Sequence, residues 1–306
     1  MSDLVAIGEP LIQFNSLTRG PLRYVNLFEK HIAGSEANFC VSFVRMGLTC
    51  TMIARVGNDE FGRNIVEWLR GIGVDVSKIK VDNSYTGIYF VQRGYPIHDK
   101  SELIYYRKGS AGSKISPDDI DENTVKSAKL VHSTGISLAI SESSREAVFK
   151  AFDLANEVSL DTNIRLKLWS KEEARKTITN ILSYVDILIT DPEDSKIITG
   201  YDDENKAVNE YKKFGIKTII YKLGPKGAVL YHEGGRYYHE GIKVNVEDPT
   251  GAGDALGGVT IALLLKGFSP EVALRIGIIS SSLVVTVRGD QENIPSFKDI
   301  EGFIEG

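Results

Sequence analysis

Glutamine is nearly missing from this chain: across 306 residues it stands only at Gln13, Gln92 and Gln291. Scarcity of this thermolabile amide is in keeping with a thermophilic source. Cysteine is as sparse. Cys40 and Cys50 are the whole complement, which excludes a disulfide scaffold and predicts two buried thiols in an intracellular protein rather than a bridge. No apolar stretch reaches membrane-spanning length, because Lys and Arg break every candidate. The start, Met1-Ser-Asp-Leu-Val-Ala-Ile-Gly8, reads as a strand and not as a signal peptide. Positive charge is not in excess, and a net charge of −5 leaves no basic footprint for nucleic acid. His31, His98, His132, His232 and His239 show no metal-ligand spacing. Two nucleotide signatures are also absent. No G-x-x-x-x-G-K-[ST] run occurs, and a dinucleotide fingerprint would need glycine where the chain has Leu256. These absences leave a cytoplasmic protein acting on small molecules, with neither membrane nor nucleic acid as partner.

A chain of this length can bury a large core. Apolar and charged fractions of 42% and 25% are those of an ordinary water-soluble protein. Residues 4–7, 51–56, 130–133, 187–190 and 218–223 read as buried strands. Residues 36–46, 60–70, 143–157, 171–183, 203–214, 253–266 and 270–288 read as helices. This alternation predicts an α/β fold with a mainly parallel central sheet flanked by helices. Two regions break it. Residues 13–16 with 23–32, and 86–94 with 102–107, read as paired alternating strands with no helix between them. They predict a small β-sheet lid on a single domain of residues 1–306, drawn from two separate stretches, about 12–33 and 85–108.

The most specific local signal is Asp248-Pro-Thr-Gly-Ala-Gly-Asp-Ala255, just ahead of an apolar run. It reads as a glycine-rich turn opening a helix, with Thr250 as N-cap. The amides of Gly251, Ala252 and Gly253 then form an anion site. Asp254 falls in the first turn of an almost wholly apolar helix, where a buried carboxylate is costly without a task or a partner. An anion cradle beside a carboxylate suits phosphoryl transfer: the amides hold phosphate charge and the carboxylate takes a proton from an attacking hydroxyl. A first-turn Asp that only complements the helix dipole is the plain alternative.

With Gly257 and Gly258 behind it, this motif closely resembles the C-terminal motif of the ribokinase/PfkB family of sugar kinases. The resemblance runs through essentially the whole chain. Ala33-Gly-Ser-Glu-Ala-Asn-Phe39, followed by Val41-Ser-Phe-Val-Arg-Met-Gly47, corresponds to the family's first motif. Arg55-Val-Gly-Asn-Asp-Glu-Phe-Gly62 also matches, as a helix-packing segment. The resemblance implies a ribokinase-like fold, a β lid over the sugar, and dependence on ATP and Mg²⁺. It sets a substrate hydroxyl against Gly34 and Asn38. It runs the nucleotide along Lys222-Leu-Gly-Pro-Lys-Gly-Ala228, with Lys222, Gly224, Lys226 and Gly227 as contacts, although this loop reads equally as a tight turn. Many family members order magnesium through water with an N-x-x-E motif ahead of a T-G pair. Ahead of Thr199-Gly200 this chain has Asp191-Pro-Glu-Asp194, acidic at both positions but with neither usual residue. Asp191 and Asp194 are the water-mediated candidates and Glu193 is the competitor. An acidic helix start with Pro192 first is the structural alternative.

Leu160-Asp-Thr-Asn-Ile-Arg-Leu-Lys-Leu-Trp169 narrows the substrate. Its D-x-N-x-R-x-x-L-W pattern resembles the 2-keto-3-deoxygluconate kinases and some fructokinases. Asn163 and Arg165 follow a strand end, where open α/β sheets place ligands, and an Arg there pairs with a carboxylate or with phosphate oxygens. In Glu102-Leu-Ile-Tyr-Tyr-Arg107, strand parity puts Leu103, Tyr105 and Arg107 on one face. In Gly87-Ile-Tyr-Phe-Val91 it puts Tyr89 opposite Ile88 and Phe90. Tyr89, Tyr105 and Arg107 then share the face over the sugar, with Tyr106 the alternative if the register slips by one. Two arginines suit a sugar acid better than a neutral hexose, or else they face solvent or phosphate. The Y-Y-R segment with Ser110-Ala-Gly-Ser113 is similar to archaeal 2-keto-3-deoxygluconate kinases. Asp290, at the end of a helical run, either reaches a sugar hydroxyl or is a solvated helix end. The resemblance thus implies an ATP-dependent kinase that phosphorylates 2-keto-3-deoxygluconate, with its galactonate epimer as a further substrate, at the terminal hydroxyl to give the 6-phosphate. A fructokinase or another sugar kinase of the family is the alternative, and a non-catalytic sugar or nucleotide sensor is the alternative of a different class. The outer face of the lid needs cover, which predicts a homo-oligomer formed through it.

Overall fold

Apolar runs that avoid water on both sides need cover on both sides, and the chain supplies it with a sheet between two layers of helices. The computed structural model describes residues 2–97 and 101–304; residues 98–100, which include His98 and fall in the second expected lid stretch, lie outside the described residues. The strands are β1 (Leu4–Ile7), β2 (Leu11–Ser16), β3 (Phe28–Ala33), β4 (Cys50–Gly57), β5 (Ile79–Asp82), β6 (Ile88–Arg93) and β7 (Ser101–Tyr106). They continue with β8 (Leu130–Thr134), β9 (Val158–Asp161), β10 (Ile187–Thr190), β11 (Thr218–Lys222), β12 (Ala228–His232) and β13 (Gly235–His239). The helices are α1 (Ser35–Arg45), α2 (Glu60–Ile72), α3 (Glu122–Ser127), α4 (Gly135–Ala139), α5 (Glu142–Leu154) and α6 (Lys171–Ile181). After them come α7 (Pro192–Thr199), α8 (Glu204–Lys212), α9 (Ala252–Leu265), α10 (Pro270–Val284) and α11 (Phe297–Ile304). Among the described residues no helix is long and apolar enough to cross a membrane.

Nine strands form one sheet in the order β13-β12-β11-β10-β9-β8-β1-β4-β5. It is parallel from β5 through to β11, and the β12–β13 hairpin adds an antiparallel edge. Strand parity divides the core. Leu4 and Ala6 of β1 pack under α1, α9 and α10 on one face. Val5 and Ile7, their neighbours, pack against residues of α5 and α6 on the other. Strands expected at 4–7 and 187–190 coincide with β1 and β10. Short β9 was read only through its end, ahead of Asn163, and the β12–β13 hairpin went unread.

The second sheet has the order β3-β2-β6-β7, with β2 and β6 parallel and both outer pairs antiparallel. Its strands come from two stretches of chain, as the alternating pattern predicted. One face carries Leu11, Gln13, Asn15, Tyr89, Val91 and Tyr105, and the buried apolar members of this set form a small core of their own. The opposite face stacks Phe14 on Phe90 at 5.3 Å between ring centres, with Phe28 and Tyr106 edge-on to Phe90.

Four expectations need correction. The strand expected over 23–32 begins only at Phe28, because Leu22–Tyr24 closes a tight 3₁₀ turn. The helix expected to reach residue 288 stops at Val284. Thr250 is not the N-cap of α9; its hydroxyl donates to Asp248 Oδ1 at 2.6 Å, and Gly251 takes the cap position at φ 80°. Cys40 and Cys50 are not free thiols but a disulfide, with Cα atoms 5.5 Å apart. Cys40 lies on the buried side of α1, Cys50 opens β4, and the turn through Met46 and Gly47 brings them within bridging reach.

Candidate active site

Parallel strands deliver their carboxyl ends to one edge of the sheet, where open α/β folds keep their ligands. Here β1, β9, β10 and β11 present Glu9, Asn163, Asp191 and Lys222 at that edge, under the inner face of the lid. The space between is a cavity of about 720 Å³, also lined by Gly34, Tyr89, Tyr105, Arg107, Arg165, Gly251, Gly253, Asp254 and Asp290.

Asp254 is fixed by two donors from the start of α1. Ser35 Oγ reaches its Oδ1 at 2.5 Å and Asn38 Nδ2 its Oδ2 at 2.7 Å. Burial pushes its pKa up to about 6, aided by the charge of Asp161 and opposed by these two hydrogen bonds. That value lies close to neutral pH, where a general base works best. Beside it, α9 opens with no side-chain cap, so the first-turn N–H groups, Ala252 and Gly253 among them, face outward as orphan donors. Gly251 is required: a Cβ there would stand 2.6 Å from the Asp290 carbonyl oxygen. Lys222 Nζ lies against the same turn and is held at 2.9 Å by both oxygens of Asp161. Burial works against the lysine's charge, but Asp161, then Asp191 and Asp194, hold its pKa above the ordinary value.

Asn38 bridges two acids. Its amide also donates to Asp290 Oδ2 at 3.3 Å, and its carbonyl accepts from Gln291 at 2.9 Å. Asp290 is neither helical nor solvated. It sits in the loop after α10, 3% exposed, hydrogen-bonded by Gln13 and Tyr89. Burial, with Asp248 and Asp254 nearby, lifts its pKa well above the carboxylate range.

The lid register expected from strand parity is the one observed. Tyr89 and Tyr105 are cross-strand partners with ring centres 5.3 Å apart, while Tyr106 is 59% exposed on the opposite face. Arg107 reaches the cavity but is already paired. Its Nε and Nη2 bind Glu9 Oε2 at 2.8 and 2.5 Å, and Ser110 donates to the same carboxylate. Arg165 is different. It stands exposed at the cavity wall, and its side chain makes no ion pair or hydrogen bond among the described residues. Its charge is felt at Tyr105, whose pKa burial raises and Arg165 and Arg107 draw back. Asn163 sits beneath, buried, with the positive φ of 33° that asparagine tolerates and its amide on Ser35 at 3.2 Å.

The other sequence-predicted residues divide. Gly34 lines the cavity and caps α1, with Glu9's carbonyl where a side chain would go. Gly224 and Lys226 form a 3₁₀ turn and Gly227 closes it where any Cβ would strike the His239 carbonyl; none of the three lines the cavity. The turn alternative is the geometry observed. Asp191 caps α7 and faces the cavity. Asp194 does not, because Thr162 Oγ1 and the Ile164 amide hold its Oδ2 at 2.6 and 3.0 Å. Burial and Asp191 raise its pKa to about 6. Glu193 lines a neighbouring groove instead. Among the described residues no three His, Cys, Asp or Glu side chains gather to hold a metal directly. Asp191, on the same cavity as the uncapped start of α9, does suit a hydrated Mg²⁺, which keeps its waters and takes few protein ligands.

Sequence reading missed Glu9, Ser35, Glu36, Asp161 and Gln13. Ser35, Glu36 and Asp161 stood inside motifs already singled out, and Glu9 followed a predicted strand end, which was signal enough to nominate it. Glu36 is fully buried, accepts from Thr134 and Ser137 at 2.7 Å, and has its pKa raised by burial.

An enzyme built this way moves a phosphoryl group onto a small hydroxyl-bearing molecule held beneath the lid. The chain belongs to the pfkB family of carbohydrate kinases, whose profile matches residues 1–296. It is 54% identical over 308 residues to the 2-dehydro-3-deoxygluconokinase of Thermoproteus tenax, across 100% of this chain and 95% of that one. Among solved structures, the 2-dehydro-3-deoxygluconokinase of Thermotoga maritima superimposes with a TM-score of 0.92 at 26% identity, covering 99% of this chain and 98% of that one. A candidate ribokinase II from E. coli, solved with ATP and Mg²⁺, gives 0.92 at 30% identity over 100% and 99%. The chain has a ribokinase-like α/β fold, with a mainly parallel nine-stranded sheet and a small four-stranded lid.

Proposed function

We propose that this carbohydrate kinase transfers the γ-phosphoryl group of ATP to the terminal hydroxyl of 2-keto-3-deoxygluconate, giving the 6-phosphate and ADP. The observation that carries the reading is the pairing, across one cavity, of a poised carboxylate at an uncapped helix start with an uncommitted arginine under the lid. Asp254 takes the hydroxyl proton as the oxygen attacks phosphorus and the bond to the β-phosphate oxygen breaks. The amides at Gly251, Ala252 and Gly253, with Lys222, hold the charge on the moving group. Asp290 holds sugar hydroxyls beside Gly34, and Tyr89 and Tyr105 floor the lid. Asn38, expected to meet a hydroxyl itself, lies behind the cavity wall with its amide committed to Asp254 and Asp290. Arg165 takes the substrate carboxylate, with Arg107 behind it. Mg²⁺, oriented from Asp191 through water, neutralises phosphate charge when bound. Identity to the Thermoproteus enzyme supports the substrate, and the ATP- and Mg²⁺-bound relative supports the donor. An ADP-release assay over sugars and sugar acids tests this, and a preference for fructose would overturn the sugar-acid assignment.

The same reading includes a homo-oligomer. The outer lid face exposes Tyr106 at 59% beside the Phe14–Phe90 stack, and Leu27 at 65% and Tyr24 at 73% are exposed in the chain leading into β3. A symmetric mate covers these residues. Light scattering at micromolar concentration is expected to give at least a dimer; a monomer removes this part of the reading.

A further inference from the structure

Gln13 and Asn15 sit two residues apart on β2, both 0% exposed, on the lid face that looks into the molecule. Buried amides are costly unless their hydrogen bonds are met, so their partners show what they are held for. Gln13 Nε2 donates to Asp290 Oδ1 at 2.8 Å and to the Tyr89 hydroxyl at 2.8 Å. From Asp290 the path runs through Asn38 to Asp254. Asn15 Nδ2 donates to Asp248 Oδ2 at 2.5 Å. The other oxygen of Asp248 accepts from the Thr250 amide at 3.0 Å and from its hydroxyl, which shapes the turn into α9. One lid strand therefore grips both sides of the transfer site. The grip at Asn15 is one-sided: its Oδ1 is buried with no partner, so its surroundings use the donor and leave the acceptor unmet.

We infer that Gln13 and Asn15 are positioning residues, through which the seated lid sets the orientation of Asp254 and of the Thr250–Gly253 turn. They touch neither the reacting hydroxyl nor the phosphoryl group. This rests on the kinase reading above. It goes beyond that reading in making the lid part of the phosphoryl-transfer machinery and not only a cover for the sugar.

The test uses the full-length enzyme with Asn15→Ala, Gln13→Ala and the donor-retaining Asn15→Ser. A misplaced base or cradle is expected to lower kcat about ten- to a hundredfold, with KM for the sugar acid and affinity for ATP nearly unchanged. Amide hydrogen exchange in the peptide spanning residues 248–255 should quicken in both alanine variants, and Asn15→Ser should recover much of both effects. If Asn15→Ala fails to fold, Gln13→Ala and Gln13→Asn, which remove or shorten the donor to Asp290, are read in the same way. Folded variants with normal exchange at 248–255 and normal kcat would overturn the inference. So would a loss confined to KM, which would make the two amides part of the sugar pocket. Exchange is read without turnover, so a wild-type enzyme inactive on every sugar acid would sink the substrate reading while still deciding this one.

Discussion

At the end of the cavity proposed for the phosphoryl group the backbone does most of the holding. Gly251 at φ 80°, the uncapped start of α9 and Lys222 clamped on Asp161 sit on elements of the large sheet layer. At the end proposed for the sugar acid side chains do it: Tyr89, Tyr105 and Arg107 from the lid, and Arg165 from the loop after β9. The first end is fixed whatever approaches it, because removing a glycine or an amide means moving a helix. The second is adjustable, because each group is the far end of a side chain. A family that shares one reaction and varies its sugar gains from this division: chemistry sits where substitution is hardest, and selectivity where it is easiest.

The largest break in that comparison comes from the fixed end. Asp254→Asn keeps the size of the side chain but turns one of the two oxygens that accept from Ser35 and Asn38 into a donor and cannot take a proton. Its kcat is expected to fall about 10²–10⁴-fold while nucleotide affinity holds. A near-normal kcat in the folded variant would remove the base. The adjustable end should respond selectively and by less. A charge-assisted hydrogen bond contributes about 1.5–3 kcal/mol. Arg165→Ala should therefore lower kcat/KM for the sugar acid about ten- to a hundredfold, and change residual activity on a neutral hexose little. Arg107→Ala is the blunter variant. It leaves Glu9 buried without its cation, so a fall in Tm should accompany any loss in kcat/KM. An unchanged acid-to-neutral ratio in Arg165→Ala would sink carboxylate recognition there.

The same division explains what could be read from sequence. The D-P-T-G-A-G-D-A turn lies in one unbroken stretch, and the large sheet was legible because strands covered on both faces leave apolar runs. Parity was enough to set Tyr89 beside Tyr105 and to send Tyr106 outward. Pairings between distant segments left no such trace. Arg107 meets Glu9 across 98 residues of chain, and its neutralisation shifts the weight of carboxylate recognition to Arg165. Thr250 looked like an N-cap by residue type, but Asp248 two residues earlier claims its hydroxyl. The cysteines were misread because their spacing carries no information on how α1 folds back to β4.

A third, smaller effect separates chemistry from stability along the pH axis. Asp254 must be ionised to act, and its pKa stands at about 6. The kcat/KM profile should fall as pH drops through 6, by about tenfold per unit once well below it. Stability should move the other way. It does so through Asp254, Asp194 and Asp290, which bind protons more readily folded than unfolded as pH falls from 7 towards 5, whereas His132, buried neutral with its pKa down at about 3, opposes them because only the unfolded chain protonates it there. An acid limb absent above pH 5 would mean that Asp254 is more solvated than its surroundings suggest.

The smallest expected effect on turnover concerns the disulfide, and it sharpens the claim that the fixed end is preset. The bridge ties α1, which carries Ser35 and Asn38, to β4 across ten residues of sequence. Closing a loop of that size is worth about 2–3 kcal/mol of stability through the unfolded chain. The double variant Cys40→Ala/Cys50→Ala should therefore lose about that much in denaturant unfolding. Its kcat should hold at temperatures where it stays folded. Asn38 keeps its own bonds to Asp254 and Gln291, and α1 remains packed through Phe39 and Phe43 in the core. These contacts position the two donors without a covalent tie. If kcat instead falls in step with the loss of the bridge, the donors to Asp254 depend on a crosslink, and the phosphoryl end is less rigid than its backbone geometry implies.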